Sequence, residues 1–99
     1  MSKLRQLARG RECLVRIEGV CCFDPETTVL AHARLIGIGG MGIKVPDVLA
    51  AHACHACHTC CDTGEWNGQR FEREYLELQF LRGVMRTQAL LIREGVLRW

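Results

Sequence analysis

The chain has 99 residues, of which 48% are hydrophobic and only two are proline. This size and composition predict one small folded domain, residues 1–99, and argue against a disordered chain. A formal net charge of +2 is too small to indicate nucleic-acid binding by itself. No apolar run is long enough to span a bilayer or to act as a signal peptide, so we expect a cytoplasmic protein with no membrane partner.

The positive charge is concentrated at the start of the chain. Within the first sixteen residues a single acid, Glu12, faces five cations, which are Lys3, Arg5, Arg9, Arg11 and Arg16. A basic arm over residues 1–11 suits contact with phosphate groups. A solvated leader without a ligand explains the same charges equally well.

Periodicity and turn residues predict an α+β order of elements. In chain order we expect a helix over Ser2–Ala8, a strand over Glu12–Ile17 that turns at Gly19, a loop over Cys21–Glu26, a strand over Thr27–Leu35, a glycine-rich loop over Gly37–Gly42, a helical turn from Pro46-Asp47 toward Ala51, and a short helix from Cys54 to Asp62 that stops at Gly64.

A long amphipathic helix is predicted over residues 70–94, with Gly95 as its C-terminal stop. Its apolar residues recur at steps of three and four, namely Phe71, Tyr75, Leu78, Leu81, Met85, Ala89 and Ile92. Such a stripe is typical of a hydrophobic core or of the seam of a homodimer.

The run Ala51–Asp62 holds three of the four histidines and four of the seven cysteines. An odd number of cysteines in a reduced compartment favours metal ligation over disulfides. Cys54-x-x-Cys57 supplies two ligands for a structural zinc. A hairpin would bring Cys13 and Cys21 to the same point, with Cys22 as the alternative to Cys21.

Helix geometry divides this run between two faces. At about 100° per residue, positions 54, 57 and 61 lie along one face, and 55, 58 and 62 lie on the next. His58 and Asp62 then hold a second metal, or Asp62 orients the imidazole of His58. We expect His52 and His55 to be exposed or to lie behind the ligands, and the spare thiols to be buried hydrophobes, these being Cys22, Cys60 and Cys61.

His32 lies in an apolar strand, and Arg34, two residues on, shares its face. A base beside a guanidinium suits phosphodiester chemistry, because one activates water and the other meets the charged phosphate. A satisfied core histidine is the alternative interpretation.

The combination of hairpin, glycine-rich loop and a helix entered through Cys-x-x-Cys-His resembles the His-Asn-His (HNH) endonucleases. Their ββα-metal fold is a variant of the treble-clef zinc finger. More narrowly, the chain resembles a family of small prophage-encoded nucleases first catalogued as a domain of unknown function. The matching stretches are Leu7–Cys13, Gly19–Cys21, Pro25–Thr27, Leu30–His32, Pro46-Asp47, Ala53–His58 and, more weakly, Met85–Gln88.

This resemblance implies a phage or prophage endonuclease that cuts DNA with a divalent cation such as magnesium, manganese or nickel. It makes His32 the general base and His58 a metal ligand. It also makes a structural zinc set of Cys13, Cys21, Cys54 and Cys57. The residue before the base, often a ligand in HNH enzymes, is Ala31 here, and the middle asparagine is absent. Either Asp47, Asp62 or another histidine then completes the set of ligands for the catalytic metal, or the site has lost activity.

In the mechanism that follows, His32 takes a proton from water while the metal ion stabilises charge on the phosphate and the leaving oxygen. The residues expected to hold the DNA backbone are Arg9, Arg11, Arg34 and Lys44.

Two other classes of function compete with a nuclease. The first is a non-catalytic, zinc-stabilised treble clef that binds DNA or a phage protein. The second is a redox protein, because Cys54-His55-Ala56-Cys57-His58 formally matches a haem attachment site and Cys54, Cys57 and Cys60 match the start of an iron–sulfur run. Haem attachment normally needs an exported chain. An iron–sulfur run needs its fourth cysteine three residues after the third, whereas Cys61 follows Cys60 directly.

Overall fold

The structure, a computed structural model, describes residues 3–34 and 44–98. In these segments the chain forms helices α1 (Lys3–Ala8), α2 (His55–Thr63) and α3 (Arg73–Arg93), strands β1 (Val29–His32), β2 (Ala50–Ala53), β3 (Glu65–Trp66) and β4 (Gln69–Arg70), and a 3₁₀ turn at Pro25–Thr27. The α+β class, the β-hairpin and the long C-terminal helix are confirmed. None of the described helices is both long and apolar enough to cross a membrane.

Strands β1 and β2 pair antiparallel, from Val29 opposite Ala53 to His32 opposite Ala50. All four residues of β2 are buried, because α3 packs across this strand. Three of the four are alanines, and their small side chains let the helix approach the backbone closely. The strand predicted over residues 27–35 is shorter, since its pairing with β2 runs only from Val29 to His32. The glycine-rich segment 37–42 lies outside the described residues.

One predicted element is wrong and another is shorter than predicted. Residues 12–17 form an irregular loop instead of a strand. Arg16 has φ = 55°, a left-handed conformation that interrupts any extended run, and Leu14 N donates to His52 O across 2.8 Å. The helical turn predicted from Pro46 toward Ala51 is a single turn, closed by Leu49 N and Pro46 O at 3.0 Å, that leads into β2.

Helix α2 begins and ends where its local chemistry requires. Cys54 is the N-cap, and its sulfur accepts a hydrogen bond from Cys57 N. Gly64 closes the helix with φ = 84°, a left-handed conformation that glycine adopts without a steric penalty. The helix predicted from Cys54 to Asp62 is confirmed.

Helix α3 begins at Arg73, three residues later than predicted, because residues 65–70 form a second hairpin. Its two-residue turn is Asn67-Gly68, with φ of 49° and 81°. Asn-Gly is the preferred sequence for such a turn, so a signal for this hairpin was present in the sequence.

The apolar stripe predicted on the C-terminal helix does not form the core. Leu78, Leu81 and Met85 are 46%, 43% and 68% exposed. The buried face lies on the other side and consists of Leu76, Phe80, Gly83, Val84, Thr87 and Leu91. Both faces carry apolar residues at helical spacing, so periodicity alone could not choose between them.

The homodimer seam on the exposed apolar face of α3 stays a prediction. Light scattering over a range of protein concentrations would check it, and we expect Met85→Glu to keep the chain monomeric.

Gly83 marks the closest approach of α3 to the rest of the fold. A Cβ atom there would lie 2.7 Å from Val15 Cγ2 and 3.1 Å from Val15 Cα. Glycine-to-alanine changes inside helices normally stabilise by about 1 kcal/mol. Here we expect Gly83→Ala to lower the free energy of unfolding by about 1–3 kcal/mol, because the helix must move away from Val15. Chemical denaturation measures the change. The control is Arg82→Ala at the exposed neighbouring position, and a stabilised Gly83→Ala variant would contradict the packing described.

Candidate functional site

Four cysteine sulfurs meet between the irregular loop and the start of α2. The Sγ atoms of Cys13, Cys21, Cys54 and Cys57 all lie within 4.8 Å of one another. Tetrahedral ligands with metal–sulfur bonds of about 2.3 Å lie about 3.8 Å apart, and Cys54 Sγ and Cys21 Sγ are 3.8 Å apart. The cluster could therefore hold a metal ion such as zinc.

Backbone groups and charge also suit a metal at these thiols. Ile17 N donates to Cys57 Sγ across 3.4 Å. The pKa of Cys13 is lowered to about 4, mainly because its sulfur accepts a hydrogen bond from the Cys57 thiol. Burial raises the pKa of Cys21 to about 12, and the Cys13 hydrogen bond together with burial raises that of Cys57. Four thiolates therefore need a cation among them, which a divalent metal supplies.

The structure separates Cys21 from Cys22. Cys22 is exposed, and its sulfur lies 3.6 Å from Thr27 Oγ1, outside the cluster. Of the other spare thiols, Cys60 is fully buried and Cys61 is partly buried. The prediction of a buried thiol is therefore correct for Cys60 and wrong for Cys22.

His32, at the end of β1, is held by a carboxylate from the segment that leads into β2. His32 Nε2 lies 2.6 Å from Asp47 Oδ1. Since a carboxylate only accepts, Nε2 donates and Nδ1 remains as the nitrogen that can take a proton. Arg5 Nε, from α1, lies 3.7 Å from the same Asp47 oxygen. The sequence predicted either phosphate contact or simple solvation for the basic arm, and neither interpretation includes this contact with Asp47.

Asp62, near the end of α2, joins two further predicted residues. Its Oδ2 lies 3.4 Å from His58 Nε2, one helical turn earlier. Its Oδ1 lies 3.6 Å from Arg34 Nε, just after β1. The outward face of α2 and the end of β1 therefore meet through one carboxylate.

These residues surround one cleft, which we call the first cleft. It has a volume of about 360 Å³, and its polar lining includes His32, Arg34 and Asp62. Phe71 and Phe80 contribute apolar wall from the approach to α3 and from α3 itself. Asp47 reaches the cleft through His32, and His58 reaches it through Asp62. In the described part of the chain, only the four cysteines form a ready-made cluster of metal ligands.

Three other predicted positions differ in their surroundings. Lys44 and Arg9 are exposed. Arg11 instead makes a two-pronged ion pair with Glu94, with N–O distances of 2.7 and 2.8 Å. Nothing in the local sequence around Arg11 signals this partner 83 positions away.

Of the two histidines expected to be exposed or to lie behind the ligands, His55 is exposed and His52 is buried. His52 is completely buried in β2, and neither ring nitrogen has a hydrogen-bond partner among the described residues. Burial lowers its pKa, so the neutral form is favoured. The exposed ring of His55 lies 6.2 Å from the ring of Trp66.

Comparisons with known proteins agree over almost the whole chain. The family model described as "Putative nuclease YbcO" matches residues 2–96. Proteins of that name from Escherichia coli K12 and from Enterobacteria phage 82 are each 47% identical over 98 residues, which is 99% of either chain. A solved structure of a "putative bacteriophage protein" from Escherichia coli is 43% identical, with a TM-score of 0.77, over 94% of this chain and 100% of its own.

The thiol cluster leads to a test with a matched pair of neighbours. We expect Cys21→Ser to lose the bound metal and to unfold at lower temperature, because one of four ligands is removed. Cys22→Ser should keep about one metal ion per chain and the wild-type melting temperature, because its sulfur lies outside the cluster. Elemental analysis and thermal melts with and without chelator measure both. Metal retained in Cys21→Ser but lost in Cys22→Ser would reverse the assignment.

Proposed function

This chain belongs to the YbcO family, whose named members are called putative nucleases, and on that premise we propose that it is an HNH-type endonuclease that hydrolyses phosphodiester bonds in DNA. The observation that carries the proposal is the first cleft. There a histidine oriented by a carboxylate and an arginine at the end of the same strand line one surface.

His32 is the general base of the proposed reaction. Its hydrogen bond to Asp47 fixes the ring and leaves Nδ1 to accept a proton from the attacking water. A proton taken up on Nδ1 makes the ring cationic, and the Asp47 carboxylate at 2.6 Å stabilises that charge. Asp47 is thus a positioning residue in this mechanism, acting through the ring it holds.

Arg34 binds the phosphate in the proposed complex. Its side chain is 70% exposed and its ion pair with Asp62 is loose, at 3.6 Å. An exposed ion pair with this separation contributes little to stability. A phosphate dianion or diester can therefore displace Asp62 from Arg34 at a small cost in free energy. The guanidinium then offers two parallel donors to the phosphate oxygens.

His58 and Asp62 are the proposed ligands of a catalytic divalent cation. Their Nε2 and Oδ2 atoms, 3.4 Å apart, are close enough to reach one ion together. Such an ion, when bound, stabilises negative charge on the phosphate and on the leaving oxygen. Magnesium, manganese and nickel are the candidates, and substrate and water oxygens would fill the remaining positions.

A structural zinc at the four cysteines completes the proposal, and with it a treble-clef arrangement. Support comes from the tight turn in which Cys21 N donates to Ile17 O, and from the second cysteine pair at the start of α2. A non-catalytic module that binds DNA or a phage protein is the second candidate. It is favoured by the absence of a third preformed ligand beside His58 and Asp62 among the described residues.

Plasmid cleavage with added magnesium, manganese or nickel tests the nuclease. We expect His32→Ala to reduce the cleavage rate by about 10²–10⁴-fold, because the general base is lost. His55→Ala is the matched control and should cut at the wild-type rate, since His55 is exposed and does not line the first cleft. Unchanged cleavage by His32→Ala, or no cleavage by wild-type protein with any of the three metals, rules the proposal out.

The role of Asp47 makes a separate prediction. Asp47→Asn keeps the size of the side chain but removes the charge that stabilises a protonated His32. We therefore expect the cleavage rate to fall while KM for DNA stays near the wild-type value. Steady-state cleavage kinetics separate the two parameters, and a wild-type cleavage rate in Asp47→Asn, or a loss that appears only in KM, contradicts the role.

A further inference from the structure

A second cleft lies along the C-terminal half of α3, where the helix faces the loop that carries Cys13. Its volume is about 500 Å³. Four arginines and one glutamate supply its charged lining, and the remaining wall is aliphatic; the residues are Arg11, Glu12, Leu14, Arg16, Arg86, Ala89, Leu90 and Arg93. This concentration of guanidinium groups stands out in a chain whose net charge is only +2.

Two of the arginines are held in place by backbone carbonyls. Arg86 Nη1 donates to Leu14 O across 2.8 Å, and Arg16 Nε donates to Cys13 O across 3.1 Å. A guanidinium has five N–H donors, so each group keeps others for a ligand. Because the side chains are already ordered, binding costs less conformational entropy than it would with mobile lysines.

The acids near the second cleft leave a surplus of positive charge. Glu94 is occupied by Arg11, whose two nitrogens reach its two oxygens. The side chain of Glu12 is 83% exposed, and its carboxylate lies 3.9 Å from the Arg16 guanidinium, so this ion pair is weak. Arg93 interacts with the Glu94 carboxylate through its charge but forms no direct ion pair with any described residue. An anion entering the second cleft would therefore meet cations that are not already neutralised.

The second cleft is separate from the first. On α3 the first cleft is lined by residues between Arg73 and Phe80, and the second by residues between Arg86 and Arg93. Thirteen residues separate the two midpoints, which corresponds to about 20 Å along the helix axis and about 140° around it, so the two clefts open on different sides of α3. One small anion cannot fill both clefts, whereas a polymer of phosphates can.

We propose that the second cleft binds the phosphodiester backbone of the DNA at a point away from the bond that is cut. Phosphate is the chemistry that planar, ordered arginines recognise, and Arg86 and Arg93 alone span about 10 Å of helix, which exceeds a single phosphate group. The choice of DNA rests on the proposed function, since a nuclease brings a run of phosphates to the protein. Arg11, expected from sequence to contact DNA, lies at this cleft but is restrained by Glu94.

The restraint on Arg11 allows a test in both directions. Binding is measured by fluorescence anisotropy with a labelled duplex that is long enough to cover both clefts, on zinc-loaded protein without added magnesium. Arg93→Gln should weaken binding by about three- to tenfold and reduce the slope of log Kd against log salt by about 0.9, as for one lost phosphate contact. Glu94→Gln should tighten binding and steepen that slope, because it frees Arg11.

The matched control is Arg82→Gln, which removes the same charge from an exposed position of α3 outside the second cleft. It should change Kd by less than about twofold. Equal weakening by Arg82→Gln and Arg93→Gln would show a general charge effect and would overturn the assignment. So would unchanged binding in Arg93→Gln together with unchanged binding in Glu94→Gln.

Binding and cleavage distinguish this inference from the proposed function. If wild-type protein cuts plasmid but the Arg93 and Glu94 variants bind like wild type, the nuclease stands and the second cleft is not a DNA site. If no metal supports cleavage but the two variants shift Kd in opposite directions, the second cleft is a DNA site on a protein that does not cut.

Discussion

Four cysteine sulfurs bring the loop over residues 13–21 against the start of α2, and a metal ion bound there would join the two. The loop from Cys13 to Cys21 has no strand ladder and contains two left-handed turns of backbone, at Arg16 and Gly19. Its conformation is defined by a few hydrogen bonds, by the burial of Val15, Ile17 and Val20 in the core, and by the cysteines at its ends. Since small domains have little hydrophobic core, a metal ion at these thiols would supply a large share of the folding free energy. The same loop forms one wall of the second cleft, so its order matters beyond the cluster.

Helix α2 couples the thiol cluster to the first cleft. Cys54 caps the helix and Cys57 lies in its first turn, both buried, while His58 and Asp62 point to the outer side. A nine-residue helix cannot move one face without the other. The proposed catalytic cation and the proposed structural zinc would therefore depend on the same element, although they do different chemistry. In this arrangement a metal bound for folding also sets the position of residues proposed for catalysis.

Helix α3 connects the two clefts, and its charge is not distributed evenly. Its first turns carry Arg73, Glu74 and Glu77, whereas its second half carries three arginines, which are Arg82, Arg86 and Arg93, and no acid. Arg73 and Glu77 line the first cleft, where a cation is proposed, and Arg86 and Arg93 line the second, where phosphate is proposed. Gly83 lies between them, in contact with Val15 and β2. One helix thus contributes to both clefts, and its second half carries the surplus of positive charge.

The sequence by itself determined the features that depend on near neighbours. The bounds of α2 follow from a cysteine cap and a closing glycine, and the pairing of Cys-x-x-Cys with earlier cysteines follows from the ligand number of zinc. The Asn-Gly pair at positions 67 and 68 is likewise a local signal, here for the turn that joins β3 and β4. The family resemblance indicated His32 and His58, and the family itself was then shown by the comparisons.

Only the tertiary structure decided the features that depend on packing. Helix α3 could have buried either of two apolar faces, and the alanines of β2 selected the one that contains Gly83. His52 is buried because β2 lies beneath that helix, and Asp47 holds His32 because the turn before β2 returns to the end of β1. Arg11 meets Glu94 from the opposite end of the chain. Periodicity and spacing in the sequence do not indicate such partners, because residues that are distant in the chain come together only when the core packs.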